Sequence, residues 1–138
     1  FDRPLGETLL EPHRSYLDVL RAALASGTVK ALAHITGGGL LENLPRVLPA
    51  DVDAVIQLGS WPVSPLFRLV RELTPSMPTE ELYRTLNMGV GMVIVCAPDD
   101  VEALQATIDE PTWIIGHLQP GSASVLLMVS DTMSNTGG

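Results

Sequence analysis

An apolar, strand-like run that stops at three glycines constrains this chain more than any other feature: Ala31-Leu-Ala-His-Ile-Thr-Gly-Gly-Gly-Leu40. Successive residues without Cβ let the backbone turn sharply and bring its N–H groups close to whatever lies in front of the turn. The apolar spacing after the glycines predicts a strand, a turn and then a helix, whose first unpaired N–H groups and positive dipole end face the same space. That arrangement suits an anion such as a phosphate. Gly37, Gly38 and Gly39 match neither the P-loop nor the dinucleotide fingerprint, and no lysine follows them, so a plain tight turn stands beside the phosphate reading.

Around this unit the pattern predicts further elements. Pro12 fits the first turn of a helix with Tyr16, Leu20, Ala23 and Leu24 on one face and Gly27 as its stop. Lys30 to Ile35 is a short strand. Leu40, Leu41, Leu44, Val47 and Leu48 keep helical spacing, but Pro45 makes that helix short or kinked, and Pro49 ends it. Asp53 to Leu58 is a second strand. Ser64 and Pro65 open a helix carrying Leu66, Leu69, Val70 and Leu73 inward, and Thr79, Glu80 and Glu81 open another. Asn87 to Gly91 marks a turn or bulge, and the continuous apolar run from Met92 to Ala97 is the best candidate for a central strand. Asp99 caps a helix with Val101, Leu104 and Ile108 on its core face. Trp113 to Leu118 and Val125 to Val129 flank Pro120 and Gly121, which predicts a closing hairpin with a type II turn. Helices and strands mix without strict alternation, so the expected class is α+β, an irregular α/β sandwich with one mixed sheet of four to five strands covered by helices.

At 138 residues the chain has the size of one domain. Sixteen acids against eight scattered bases give a formal charge of −8, which argues against nucleic acid as a partner. A small phosphorylated ligand remains compatible, since a few local N–H groups outweigh a distant field screened over roughly 10 Å. No apolar run reaches the roughly 20 residues a membrane helix needs, so no membrane partner is expected, and the chain reads as a soluble protein or a piece of one. The lone Cys96 lies in an apolar run and reads as a buried small hydrophobe, in keeping with a reducing cytosol. The chain opens without methionine in what reads as a polar connection. Residues 1–10 are therefore expected to be a connection from a preceding segment, 11–130 the domain proper, and 131–138 a disordered tail.

His13, His34 and His117 show none of the close spacings of zinc sites. His34, at the end of its strand, suits an acid, a base or a phosphate donor, or else a strand histidine bonded to backbone. Asn87 could orient a ligand through its amide, but beside glycines it is above all a turn residue. Arg84 could hold a phosphate or pair with Glu80 one helical turn away. Glu42 and Asn43 either cap the helix or point into the same cleft. There is no Gly-x-Ser-x-Gly elbow, and no acid pair has the spacing of a hydrolase.

Four stretches carry a resemblance: Leu5-Gly-Glu-Thr-Leu-Leu-Glu-Pro12, Ala33-His-Ile-Thr-Gly-Gly-Gly39, Glu42-Asn-Leu-Pro-Arg-Val-Leu-Pro49 and Tyr83-Arg-Thr-Leu-Asn-Met-Gly-Val-Gly-Met92. In this order the chain, from about Leu5 to Val129, resembles the C-terminal half of the phosphoribosylformylglycinamidine cyclo-ligases, also called aminoimidazole ribonucleotide synthetases. His13 departs from the family, which usually has threonine there. The resemblance implies a cytosolic enzyme of purine synthesis that uses ATP and magnesium to activate the amide oxygen of formylglycinamidine ribonucleotide, closing the ring to aminoimidazole ribonucleotide. It implies two-domain subunits paired as homodimers, with ATP and metal held largely by the N-terminal domain. Carried onto this sequence, it makes His34 a candidate catalytic residue, and Thr36, Gly37, Gly38, Gly39, Asn87 and Gly89 candidates for holding substrate or phosphate. The alternatives are a non-catalytic module that binds a phosphorylated metabolite, or the equivalent domain of another synthetase of the same superfamily.

Overall fold

A computed structural model describes residues 2–130, so the expected tail at 131–138 lies outside the described residues. In chain order the elements are α1 (Leu5–Leu9), α2 (Leu17–Ala25), β1 (Val29–His34), α3 (Gly39–Asn43), β2 (Val52–Leu58), α4 (Pro65–Leu73), α5 (Thr79–Thr85), β3 (Met92–Cys96), α6 (Val101–Ala106), β4 (Gly116–Pro120) and β5 (Val125–Val129). Single 3-10 turns at Pro45–Val47 and Pro98–Asp100 follow α3 and precede α6.

The class is α+β, as the mixed pattern implies, but the strands form two sheets rather than one. β1 pairs antiparallel with β3, and β2 lies between β4, antiparallel, and β5, parallel. The central strand is therefore β2, not the Met92 to Ala97 run, because β3 has β1 as its one neighbour among the described residues. β4 and β5 are not a hairpin either. An Asp53 carboxylate oxygen accepts from the N–H groups of Ser122 (2.7 Å) and Ser124 (2.8 Å), and Gly121 N–H donates to the Asp51 carbonyl (2.8 Å). These bonds draw the connecting loop across the start of β2, so the strands on either side of it straddle β2 instead of pairing with each other.

Helix limits follow the local signals except at α1, α2 and α6, where Asp99 lies in the preceding 3-10 turn, Asp100 takes the cap position and Ile108 falls beyond the helix end at Ala106. α2 begins at Leu17 rather than near Pro12, since contacts made by Arg14 and Tyr16 hold the preceding segment away from a helical path. Its Leu20 and Ala23 are buried as the spacing requires, and Gly27 (φ +74°) ends the element. α1 lies within the stretch read as a polar connection and has no buried residue. α4 starts at Pro65 after Ser64 and lays Val70 against the core, yet Leu73 projects outward at 72% exposure. α3 is cut to five residues because Pro45 has no N–H to donate and continues only as a 3-10 turn.

Alternate residues Ala54 and Ile56 of β2 face the core, as do Ala33 and Val93 of the other sheet. Ile35, Leu40, Leu44 and Leu82 are fully buried among them, so the turn after β1 and the helices α3 and α5 are fixed to one apolar cluster. Trp61 and Tyr83 meet edge to face at 6.2 Å within it.

Candidate functional site

The register of β1 on β3 sets the site. His34 lies opposite Met92, and Ile35 N–H donates to the Gly91 carbonyl at 2.9 Å, so the turn leaving β1 and the turn entering β3 emerge side by side. Thr36 to Gly39 and Asn87 to Gly89 are thus brought together by the sheet, although some fifty residues of sequence separate them.

Each glycine of the first turn has its own task. Gly37 is exposed, with open space where a Cβ would be. Gly38 is left-handed (φ +97°), and a side chain there would meet Glu42, whose carboxylate folds back to within 2.6 Å of that position. Gly39 (φ +57°) is buried, and its Cβ would lie 1.9 Å from the Tyr83 carbonyl oxygen. The turn closes through Gly39 N–H to the Thr36 carbonyl (3.0 Å) and Glu42 N–H to the Gly38 carbonyl (3.1 Å). Asn43, only 5% exposed, donates its side-chain amide to the carbonyls of Thr36 (3.3 Å), Gly37 (3.2 Å) and Gly39 (2.8 Å). With its carbonyls gathered inward, the turn leaves the N–H groups of Gly37 and Gly38 without a hydrogen-bond acceptor among the described residues. At five residues α3 is too short to add much dipole, so any attraction for an anion comes from these N–H groups themselves.

The second turn is closed by its own side chain. Asn87 Oδ1 accepts from Gly89 N–H (3.0 Å), and the Asn87 carbonyl accepts from Val90 N–H (3.0 Å), so Asn87 closes the turn through its side-chain oxygen. Met88 buries its side chain while adopting φ +50°, and its carbonyl accepts from the Trp61 indole N–H at 3.1 Å, tying the turn to the core.

His34 is exposed at the end of β1, where His13 meets it edge to face at 4.9 Å between ring centres and Tyr16 at 5.9 Å. No hydrogen bond joins His34 to backbone or side chain among the described residues. Sequence reasoning passed over Tyr16 and His13 here, because nothing in their spacing shows that the segment before α2 returns to β1. The Tyr16 hydroxyl occupies the space a Cβ on Gly91 would need, and Arg14 lies 5.0 Å above its ring while making a two-point pair with Glu110 (2.7 and 2.9 Å). That guanidinium holds the Glu110 carboxyl below the usual carboxylate range.

Arg84 pairs with Glu80 at 2.9 Å and lies 3.9 Å from both Glu42 and Glu81, which places it in a surface acidic cluster. His117, on β4, takes no part in these two turns. Cys96 ends β3 with its thiol pushed up, first by burial and then by the charge of Asp100, which disfavours the reactive thiolate. No three histidine, cysteine, aspartate or glutamate side chains converge as a metal site among the described residues.

Fold and turns together define a small α+β domain that offers two backbone N–H groups on one loop, with a second, self-closed loop and the His34 imidazole beside it. The chain belongs to the AIR synthase related protein, C-terminal domain family, which it matches over residues 1–128. It is 45% identical over 124 residues to the phosphoribosylformylglycinamidine cyclo-ligase of Geobacillus kaustophilus (strain HTA426), an alignment covering 88% of this chain and 36% of that protein. The protein of the same name from Bacillus subtilis (strain 168) is 39% identical over 124 residues, with the same coverage. A bifunctional purine biosynthetic protein purD of Dictyostelium discoideum is 45% identical over 119 residues, which are 84% of this chain and 14% of that protein. The chain spans about a third of the length of the cyclo-ligases it matches. No helix among the described residues is long and apolar enough to cross a membrane.

Proposed function

We propose that this chain is the C-terminal domain of a cytoplasmic, homodimeric, ATP-dependent cyclo-ligase that converts formylglycinamidine ribonucleotide to aminoimidazole ribonucleotide. The observation that carries this reading is the family match along nearly the whole chain, joined to relatives named for that activity. Residues 1–10 connect to the preceding domain, and 11–130 wall the substrate cleft. The Thr36, Gly37, Gly38 and Gly39 turn faces a phosphate with its two free N–H groups, Asn87 and Gly89 shape the loop beside it, and His34 stands where it can give or take a proton on the substrate. ATP and magnesium are assigned mainly to the rest of the polypeptide, as the resemblance to the cyclo-ligases implies.

The test is release of ADP from ATP and formylglycinamidine ribonucleotide. A full-length protein carrying this domain turns over, whereas this chain alone does not. Turnover by the chain alone at the rate of the full-length protein refutes the division of labour. Tight phosphate binding with no turnover in the full-length protein favours a non-catalytic binding module.

A further inference from the structure

A cleft of about 900 Å3 opens between β3, α6 and the segment that leads into β4. Its walls are built in different ways. β2 contributes Ala54 and Ile56, alternate residues of one sheet face, and α6 contributes Val101 and Leu104 at helical spacing. By contrast, residues 89–96 and 110–118 line it without a gap. A strand that presents its face shows every second residue, so an unbroken run means that β3 and β4 present their edges.

The hydrogen-bond register agrees. Because Ile35 N–H donates to the Gly91 carbonyl, residues 91, 93 and 95 direct their backbone groups at β1, and Met92, Ile94 and Cys96 direct theirs away. Gln57 N–H donates to the Ile115 carbonyl (2.8 Å) and Gly121 N–H to the Asp51 carbonyl, so Ile114, Gly116 and Leu118 point away from β2. Neither β3 nor β4 has a second strand neighbour among the described residues. Two rows of unpaired N–H and C=O groups therefore flank one apolar cleft. A compact apolar ligand would leave both rows unsatisfied, whereas an extended backbone pairs with both at once.

We infer that the cleft receives one extended, largely apolar strand from the remainder of the full-length polypeptide, hydrogen-bonded to β3 on one side and β4 on the other. The two sheets then become one, ordered β1, β3, inserted strand, β4, β2, β5. The inserted strand matches the five-residue lengths of its neighbours and alternates apolar side chains toward Ala54, Ile56 and Leu104. Its source is argued from two facts. About two thirds of each cyclo-ligase relative lies outside the matched region, and Arg14 and Tyr16 line the cleft, so the N-terminal segment of this chain reaches it. This inference rests on reading the chain as one part of a longer ligase.

Amide hydrogen exchange tests it without reference to activity. It is followed in this chain alone and in the full-length Geobacillus kaustophilus relative, over the segments aligned with β3 and β4. The expected result is at least a hundredfold slower exchange in the full-length protein for the outward amides of both segments, with the amides that face β1 and β2 protected in both. Ile114→Lys, at a residue 64% exposed, should leave this chain folded, and the equivalent change in the full-length protein should remove the extra protection. Equal exchange in the two proteins overturns the inference even if the ligase turns over. So does concentration-dependent protection of both edges in this chain alone, since a second copy would then be the occupant. Loss of turnover with the added protection intact counts against the functional reading instead.

Discussion

The side-chain amide of Asn43 donates to the carbonyl of Gly39 at 2.8 Å and reaches two further carbonyls of the same turn, so one buried residue fixes the shape of the glycine loop. Asn43→Ala leaves those carbonyls without that donor. It should destabilise the chain by about 1–3 kcal/mol. Urea unfolding measures this, and a midpoint equal to that of the parent would show that the amide is dispensable.

The three glycines should separate cleanly under substitution. Gly39→Ala drives a Cβ into the Tyr83 carbonyl and should cost at least about 2 kcal/mol. Gly37 has open space and a φ outside the left-handed region, so Gly37→Ala should stay within about 0.5 kcal/mol of the parent. In the full-length protein the same change tests close approach of a ligand to the N–H groups. Weaker phosphate binding at unchanged stability is expected, and unchanged binding would leave the loop a structural turn. Gly38 is less informative, because a side chain there meets Glu42 and strains the backbone together.

Trp61→Phe should cost about 1–3 kcal/mol, since the Met88 carbonyl then loses its indole donor in a buried setting. Thermal and urea unfolding both report it. If stability is unchanged, the left-handed Met88 turn does not depend on the tie from Trp61.

Acid should weaken the sheet through Asp53. Two backbone N–H groups, from Ser122 first and Ser124 second, hold its carboxyl below the usual aspartate range. A depressed folded value gives stability that is complete above the unfolded value of about 4 and is lost as pH falls through the lower folded value. The slope of unfolding midpoint against pH in that window should therefore be shallower in Asp53→Asn. Identical slopes would remove Asp53 from the acid response.

Local signals were most legible where one residue decides the outcome. Pro65 opens α4, Pro45 cuts α3 to a turn and a half, and Glu80 with Glu81 sits in the first turn of α5, as their chemistry requires. Pairing was less legible, because apolar runs state that a strand is covered but not by what. Met92 to Cys96 is rich in apolar residues since it borders the cleft on one edge, which reads the same as a strand enclosed by neighbours. The straddling of β2 depends on Asp53 reaching loop residues about 70 positions away, a contact no local window contains. At the site, the adjacency of the two turns follows from the β1 to β3 register, whereas the edge-to-face contact of His13 and Tyr16 with His34 comes from a segment with no regular period.

The same Asp53 latch bears on how the chain is made. Asp53 and Ser122 are 69 positions apart, so during synthesis β2 leaves the ribosome long before either strand that will flank it. At roughly 5–20 residues per second, its two open edges wait several seconds for their partners. A ribosome stalled after α6 would hold out a nascent chain with an uncovered Val-Asp-Ala-Val-Ile-Gln-Leu strand, a natural target for chaperones and for neighbouring copies on the same messenger.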